Sequence, residues 1–266
     1  MFFAIPFPNI DPVLFQVGVF AIRWYSLAYI AGLVLGWVMM KRMCRWDPVV
    51  CEKDAIDDFL VWATFGVILG GRIGMVLFYQ FDYYMANPAK IIAVWEGGMS
   101  FHGGFLGVVA AAIIFTRKRG ISTLRFGDLI ACVAPIGLFF GRVANFINGE
   151  LWGRTSDVAW AMVFPTGGPL PRHPSQLYEA ALEGLILFAV VMTLVRMESV
   201  RRRPGLLMGT FIAGYGVARI VGEFFREPDA YIGFLAFGTT WGQWLSLPMI
   251  AVGVFFILRA RRRDPV

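Results

Sequence analysis

The sequence predicts an all-α polytopic membrane protein of about seven transmembrane helices. A small outer, periplasmic cap covers one side, with the N-terminus outside and the C-terminus in the cytoplasm. Three observations carry this. Of the 266 residues, 58% are apolar and only 16% are charged. A soluble domain has about 45–50% apolar and about 25% charged residues, so this chain has too few charges to coat a globule of its size. Apolar segments of span length recur along the chain, and short basic runs flank them. This composition also excludes a disordered chain or a disulfide scaffold.

The spans come in order, each near the 20 residues a bilayer demands. The first is expected over about Val13–Met40, ending in Lys41-Arg42, and the second over about Ala55–Phe78, opening with Asp57 and Asp58. The third, about Phe101–Thr116, is short and starts His-Gly-Gly; the fourth covers about Phe126–Ile147. The fifth, sixth and seventh are about Gln176–Val195, Leu206–Phe225 and Trp241–Leu258. Residues 1–266 read as a single integral membrane domain, with 150–175 as the cap and a short strand expected near Val158–Val163. Met1–Pro12 lacks a basic leader and is interrupted by Pro6, Pro8 and Pro12, so it reads as an interfacial piece rather than a cleaved signal.

Orientation comes from Lys and Arg. The groups in 41–53, 117–125, 196–203 and 259–263 hold four basic residues each, sixteen of the chain's 24. Placed in the cytoplasm, they set an odd number of spans with the N-terminus outside. The net charge of +6 is therefore mostly topology. It makes no stripe on a soluble face, and nucleic acid is excluded as a partner. Cys44, Cys51 and Cys132 show no metal spacing and read as structural.

Ionisable residues within spans are costly and mark function by default. In the fourth span Arg142, Asn145 and Gly149 stand at i, i+3 and i+7, with Asn148 and Glu150 beside them. A face bearing Arg and Asn cannot point at lipid. In the sixth span Tyr215, Arg219, Glu223 and Arg226 stand at i, i+4, i+8 and i+11, and Arg219 can pair with Glu223 across one turn. His102, one of two histidines, sits with Gly103 and Gly104 at a span end; it serves either as a capping group or as a proton carrier. His173 precedes Pro174 and Ser175, the last read as a helix N-cap with Glu179 in the first turn. Arg72 lies between Gly71 and Gly74, equally suited to snorkelling beside close packing or to a ligand. Tyr25 reads as an aromatic-belt residue. Arginine forks match phosphate, while no metal set, nucleophile elbow or Walker motif is present. Residue chemistry alone thus points to a site for an anionic lipid headgroup. Transport and transformation of that lipid both remain open.

Four stretches carry a family likeness: Phe101-His102-Gly103-Gly104; the fourteen residues Gly141–Arg154; Arg172-His173-Pro174-Ser175-Gln176-Leu177-Tyr178-Glu179; and Gly214-Tyr215-Gly216 through Arg219, Glu223 and Arg226 to Asp229. They resemble bacterial prolipoprotein diacylglyceryl transferases over nearly the whole chain, in the expected order. The resemblance implies an enzyme of lipoprotein biosynthesis in the bacterial plasma (inner) membrane, its active site towards the periplasmic or outer face. It would transfer the diacylglyceryl group of phosphatidylglycerol to the lipobox cysteine of preprolipoprotein signal peptides, forming a thioether and releasing glycerol phosphate. It implies no cofactor and no metal; phosphatidylglycerol, the signal peptides and membrane lipids are the expected partners. Carried onto this chain, His102, Arg142 and Arg219 are the expected catalytic residues. Arg142 and Arg219 would hold phosphate, Glu223 would orient Arg219, and Asn145 and Glu150 would bind the headgroup or brace Arg142. Tyr25, Asn148, Gly153, Arg154 and Tyr215 would bind substrate, with Arg72 and His173 in a second tier. A flippase or transporter for anionic lipids is the alternative; it would be expected to show repeat symmetry, and none is legible. An intramembrane protease built on Ser175 and His173 is disfavoured by their spacing.

Overall fold

The computed structural model describes residues 5–8, 10–18, 20–228 and 233–262. Residues 1–4 of the N-terminal segment, Asp229 of the last motif and Arg263 of the last basic group lie outside the described residues. The chain runs β1 (Ile5–Pro6), β2 (Val13–Val17), β3 (Phe20–Arg23), α1 (Trp24–Met43), α2 (Lys53–Gly74), α3 (Phe81–Ala86), α4 (Phe101–Lys118), α5 (Thr123–Ile147) and β4 (Met162–Val163). It continues through α6 (Ser175–Glu179), α7 (Leu187–Arg196), α8 (Glu198–Arg201), α9 (Leu206–Glu223) and α10 (Trp241–Arg261). Residues 75–79 extend α2 as a π-helical turn, and a second π-helical segment, Ala180–Ile186, joins α6 to α7 without a break.

Among the described residues, six helices are long and apolar enough to cross a membrane: Trp24–Met43, Lys53–Tyr79, Thr123–Ile147, Ser175–Arg196, Leu206–Glu223 and Trp241–Arg261. They match six of the expected spans. The third, α4, forms as an 18-residue helix with Arg117 and Lys118 in its last turn. The distribution of side chains is inverted relative to a soluble protein. Phe65, Leu69 and Phe78 are exposed while Gln176, Glu179, Glu183 and Glu223 are buried. That is the distribution a hydrocarbon surrounding favours, where each helix satisfies its own backbone.

The start of the first span differs from expectation. Val13–Val17 and Phe20–Arg23 pair antiparallel, β2 against β3, and α1 begins only at Trp24. The hairpin is apolar on exposed positions such as Leu14, Phe15 and Ile22, so hydropathy alone merges it with the adjoining helix. Within residues 150–175, the strand expected near Val158–Val163 shrinks to Met162–Val163, which pairs in parallel with Ile5–Pro6.

The chain divides into two compact units, residues 40–127 and residues 1–39 with 128–266. In the first, α2 and α4 pack backbone to backbone. Gly66, Gly70 and Gly74 recur every four residues along α2 and meet Gly103 and Gly107 of α4. A Cβ on Gly66 would lie 2.7 Å from the Gly107 carbonyl oxygen, so only glycine permits this approach. Beyond the crossing, Phe59, Phe115 and Phe126 form a buried aromatic cluster, with Phe59 and Phe126 edge to face at 4.8 Å. Asp57 and Asp58, the acids at the second span's start, pair with Lys41 and Arg119. These part-exposed pairs contribute at most about 1 kcal/mol each.

Cys44 and Cys51 are buried in the same unit, and burial pushes the Cys51 thiol up to about 12 and the Cys44 thiol above its ordinary value. Thiolate is the reactive form. Native protein in detergent at pH 8 is therefore expected to resist alkylation at both positions and to label fully once unfolded. Rapid labelling of the folded protein, read by intact mass, would contradict the buried placement.

In the second unit, α9 and α10 pack together. The buried Asp128 of α5 caps α9 by accepting from Gly205 N and Met208 N, both at 2.7 Å. A carboxylate on the exposed N–H groups of a helix start is favoured by both charge and hydrogen bonding. Thr240 and Gln243 form a reciprocal capping box at the start of α10.

Candidate functional site: a buried arginine–carboxylate cluster

The site is built on the second unit from three apolar helices that each carry charge. Arg142 comes from the last turns of α5, Arg219 and Glu223 from the end of α9, and Glu179 and Glu183 from the α6–π segment. Glu179 is the centre. Its Oε2 lies 2.9 Å from Arg142 Nε, a close ion pair, while Oε1 accepts from Arg219 Nη1 at 3.1 Å and lies 3.8 Å from Arg226 Nη1. Glu183 accepts from Arg142 Nη2 at 3.1 Å and Nε at 3.2 Å, and its Oε1 is 3.7 Å from Arg219 Nη1. Glu223 Oε1 is 2.5 Å from Arg219 Nη2, the i,i+4 pairing that the spacing predicts. Glu179 and Glu183 are 1% and 0% exposed, and each arginine side chain 15%. Tyr215 stands among these charges, with Glu183, Arg219, Arg142 and Glu179 acting on it.

Buried ions persist only when paired and hydrogen-bonded. Here two guanidinium groups, which repel each other, are held together by carboxylates on their flanks. Among the described residues, Arg142 Nη1 and Arg219 Nε make none of these contacts. Guanidinium donors of this kind are well matched to oxyanions.

A second polar group lies at the end of α5. Asn145 Nδ2 and Asn148 Nδ2 both donate to Glu150 Oε1, at 2.8 and 3.2 Å. The bracing of Arg142 expected from Asn145 and Glu150 is therefore supplied instead by Glu179 and Glu183. Asn145 and Glu150 are neighbours of each other because the chain turns just beyond Ile147, where the helix ends. Tyr25 shares a hydroxyl contact of 3.2 Å with Tyr29, and the charge of Glu150 acts on it.

Gly153, Arg154, Arg172 and His173 tie residues 150–175 to the end of α9. A Cβ on Gly153 would come within 2.6 Å of both the His173 and Phe225 carbonyl oxygens, so a larger residue cannot fit. Arg154 donates to the carbonyls of Arg226 and Glu223 at 3.0 and 2.9 Å and stacks on Phe234. Arg172 stacks on Trp152 at 3.9 Å. His173 Nδ1 is 3.1 Å from the Tyr178 hydroxyl, and burial lowers its pKa, favouring the neutral ring. Ser175 does not cap its helix: Pro174 occupies that position and the Ser175 hydroxyl donates to the Leu151 carbonyl. Glu179, expected in the first turn, is instead the last residue of α6 and is buried.

Two predicted residues belong to the other unit. Arg72 is buried, and its donors all reach backbone: Ile91, Gly97, Gly98, Lys90 and Ala93 carbonyls lie 2.5–2.9 Å away, with the guanidinium over Tyr84. It organises residues 90–98. His102 is exposed in the first turn of α4, edge to face with Phe101, after Ser100 caps that helix through Gly103 N at 3.1 Å. Sequence reasoning missed Glu183 and the role of Glu179. The signal was present, since both are acids within an apolar span.

A multi-helix membrane protein with a buried, balanced cluster of arginines and glutamates is the class that this fold and site define. The family model of prolipoprotein diacylglyceryl transferase matches residues 12–259, and the chain belongs to that family. It is 59% identical to the phosphatidylglycerol–prolipoprotein diacylglyceryl transferase of Rhodospirillum rubrum, covering 100% of this chain and 98% of that protein. The enzymes of the same name from Paramagnetospirillum magneticum and Azospirillum brasilense are 58% and 59% identical, covering 99% and 98% of this chain and 98% of each relative.

Proposed function

We propose that this chain is an enzyme that moves the diacylglyceryl group of phosphatidylglycerol onto the thiol of a lipobox cysteine in preprolipoproteins. The observation that carries the reading is the Arg142–Arg219 pair, held by buried carboxylates and keeping unshared guanidinium edges, in a chain of this family. The substrate thiol, once deprotonated, attacks the carbon of the diacylglyceryl group that carries the phosphate oxygen. A C–S bond forms, the C–O bond to phosphate breaks, and the electron pair leaves with glycerol phosphate, which takes up the proton released by the thiol. Arg142 and Arg219 stabilise the charge gathering on that leaving group. Asn145, Asn148, Glu150, Tyr25 and Tyr215 supply hydrogen-bonding groups to the headgroup. Gly153 and Arg154 maintain the backbone next to it, as does His173 through Tyr178. His102 accepts or relays the thiol proton, since a free thiol of pKa about 8.5 is mostly protonated at neutral pH.

The same reading makes α4 a seventh crossing. The N-terminus then faces out, the C-terminus lies in the cytoplasm, and residues 150–175 cover the periplasmic side of a plasma-membrane protein. The deciding experiment is mass spectrometry of a lipobox peptide after incubation with purified protein and phosphatidylglycerol. A diacylglyceryl mass on cysteine supports transfer; lipid moved between leaflets with no covalent product supports a flippase. For His102, the expected result of His102→Gln is a loss of about 10²–10³-fold in rate and disappearance of the pH dependence near neutrality. A variant with an unaltered pH–rate profile rules out its role as base.

A further inference from the structure

We propose that Glu179 and Glu183 are positioning residues for the transfer reaction: they orient Arg142 and Arg219 so that Arg142 Nη1 and Arg219 Nε are presented to the lipid phosphate. This rests on the function proposed above. It assigns work to two carboxylates that the lipid and peptide chemistry itself does not call for.

Three independent features support it. The first is connectivity. Glu179 reaches Arg142, Arg219 and Arg226, and Glu183 reaches Arg142 and Arg219 again. Each arginine of the pair is thereby gripped by two carboxylates, with Glu223 as a third on Arg219. A guanidinium is planar, so occupying Nε and Nη2 of Arg142 sets the direction of Nη1.

The second is backbone geometry. Glu183 stands inside the π-helical segment Ala180–Ile186, directly after Glu179 at the end of α6. A π turn inserts an extra residue and rotates the helix beyond it, a device found most often at functional sites. The segment is pinned on both sides. A Cβ on Gly184 would fall 2.6 Å from Phe139 Cβ of α5, and one on Gly222 of α9 would fall 3.3 Å from Glu179 Cγ. The carboxylates are thus held by packing, as a preorganised site requires.

The third is charge. Arg142, Arg219 and Arg226 are balanced by Glu179, Glu183 and Glu223. A cluster that only attracted an anion would gain from leaving arginines unpaired. Formal neutrality instead suits a site that aims its donors, with affinity drawn from direction rather than net field.

The test compares Glu179→Gln, Glu179→Asp and Glu183→Gln with the parent protein in phosphatidylglycerol-containing nanodiscs, using a lipobox peptide as acceptor. Glu52→Gln, which removes the exposed partner of Arg45, is the control for loss of an ordinary ion pair. We expect Glu179→Gln to lower kcat by about 30–100-fold, the cost of misaligned reacting groups, with the KM for lipid altered less than about threefold. Glu183→Gln falls in the same direction, Glu179→Asp recovers part of kcat, and Glu52→Gln matches the parent. A purely structural role predicts something else: a fall in folded fraction and melting temperature, with kcat per folded molecule unchanged. That result, or full kcat in both Gln variants, overturns the proposal. If the parent itself forms no thioether, it is the function reading that fails.

Discussion

Arg219→Ala is expected to slow thioether formation by about 10²–10³-fold, and Arg142→Ala by a similar factor, the loss typical of removing a donor from a preorganised oxyanion site. The physical basis is that both groups would act on charge that develops only as the phosphate departs. The effect therefore appears in kcat more than in lipid KM. Removing Arg219 also strands Glu223 and half of Glu179 as buried anions, a cost of about 3–5 kcal/mol when one partner of a buried pair is lost. Arg219→Lys separates the two contributions. It keeps the positive charge near Glu179 and Glu223 but lacks the planar fork, so a melting temperature near the parent's should accompany a rate still well below it. The measurement is a progress curve of lipidated peptide by mass spectrometry, normalised to folded protein. Activity within threefold of the parent for Arg142→Ala or Arg219→Ala would end the phosphate-clamp assignment.

Gly107→Ala is expected to destabilise the 40–127 unit by about 3 kcal/mol or more, at the upper end for overpacking because the obstructing atoms are backbone. The added Cβ would overlap the Gly66 carbonyl oxygen and lie 3.0 Å from Gly70 Cα, and neither atom can rotate away. The two helices would have to separate along their whole crossing. Gly137→Ala, in the interior of α5 with nothing within 4 Å of the added carbon, should be neutral or slightly stabilising, since alanine favours helix over glycine by about 1 kcal/mol. Thermal unfolding in detergent monitors both. Equal melting temperatures for the two variants would refute the tight crossing of α2 and α4.

Hydropathy located the helices well because bilayer thickness imposes a minimum length on every apolar run. It failed at residues 13–23, where the hairpin is as apolar as the helix and the alternation that marks a strand is absent. Spacing along one helix predicted the Arg219–Glu223 pair, a local i,i+4 relation. It could not predict the partners of Arg142, which lie 37 and 41 positions away and come from another helix. Glu179 illustrates the limit most clearly. Its place soon after Pro174 and Ser175 suggested a first-turn acid of a capped helix, an account complete at the local level. The packing of α5, α6 and α9 makes it the hub of three arginines instead. Arg72 was undecided for the same reason, since five carbonyls from residues 90–98 claim it only once that segment folds over α2.

By itself, the sequence determined the class of protein, six of the approximate spans and the family motifs, because these depend on composition, length and order along the chain. Tertiary structure alone decided which charges meet. Within an apolar interior an unpaired ion is so unfavourable that every arginine and glutamate must find a partner, and which partner it finds depends on how helices distant in sequence pack. The same basic residues that looked merely scarce in the composition are thereby divided into those that lie at helix ends and a few whose directions are set by buried carboxylates.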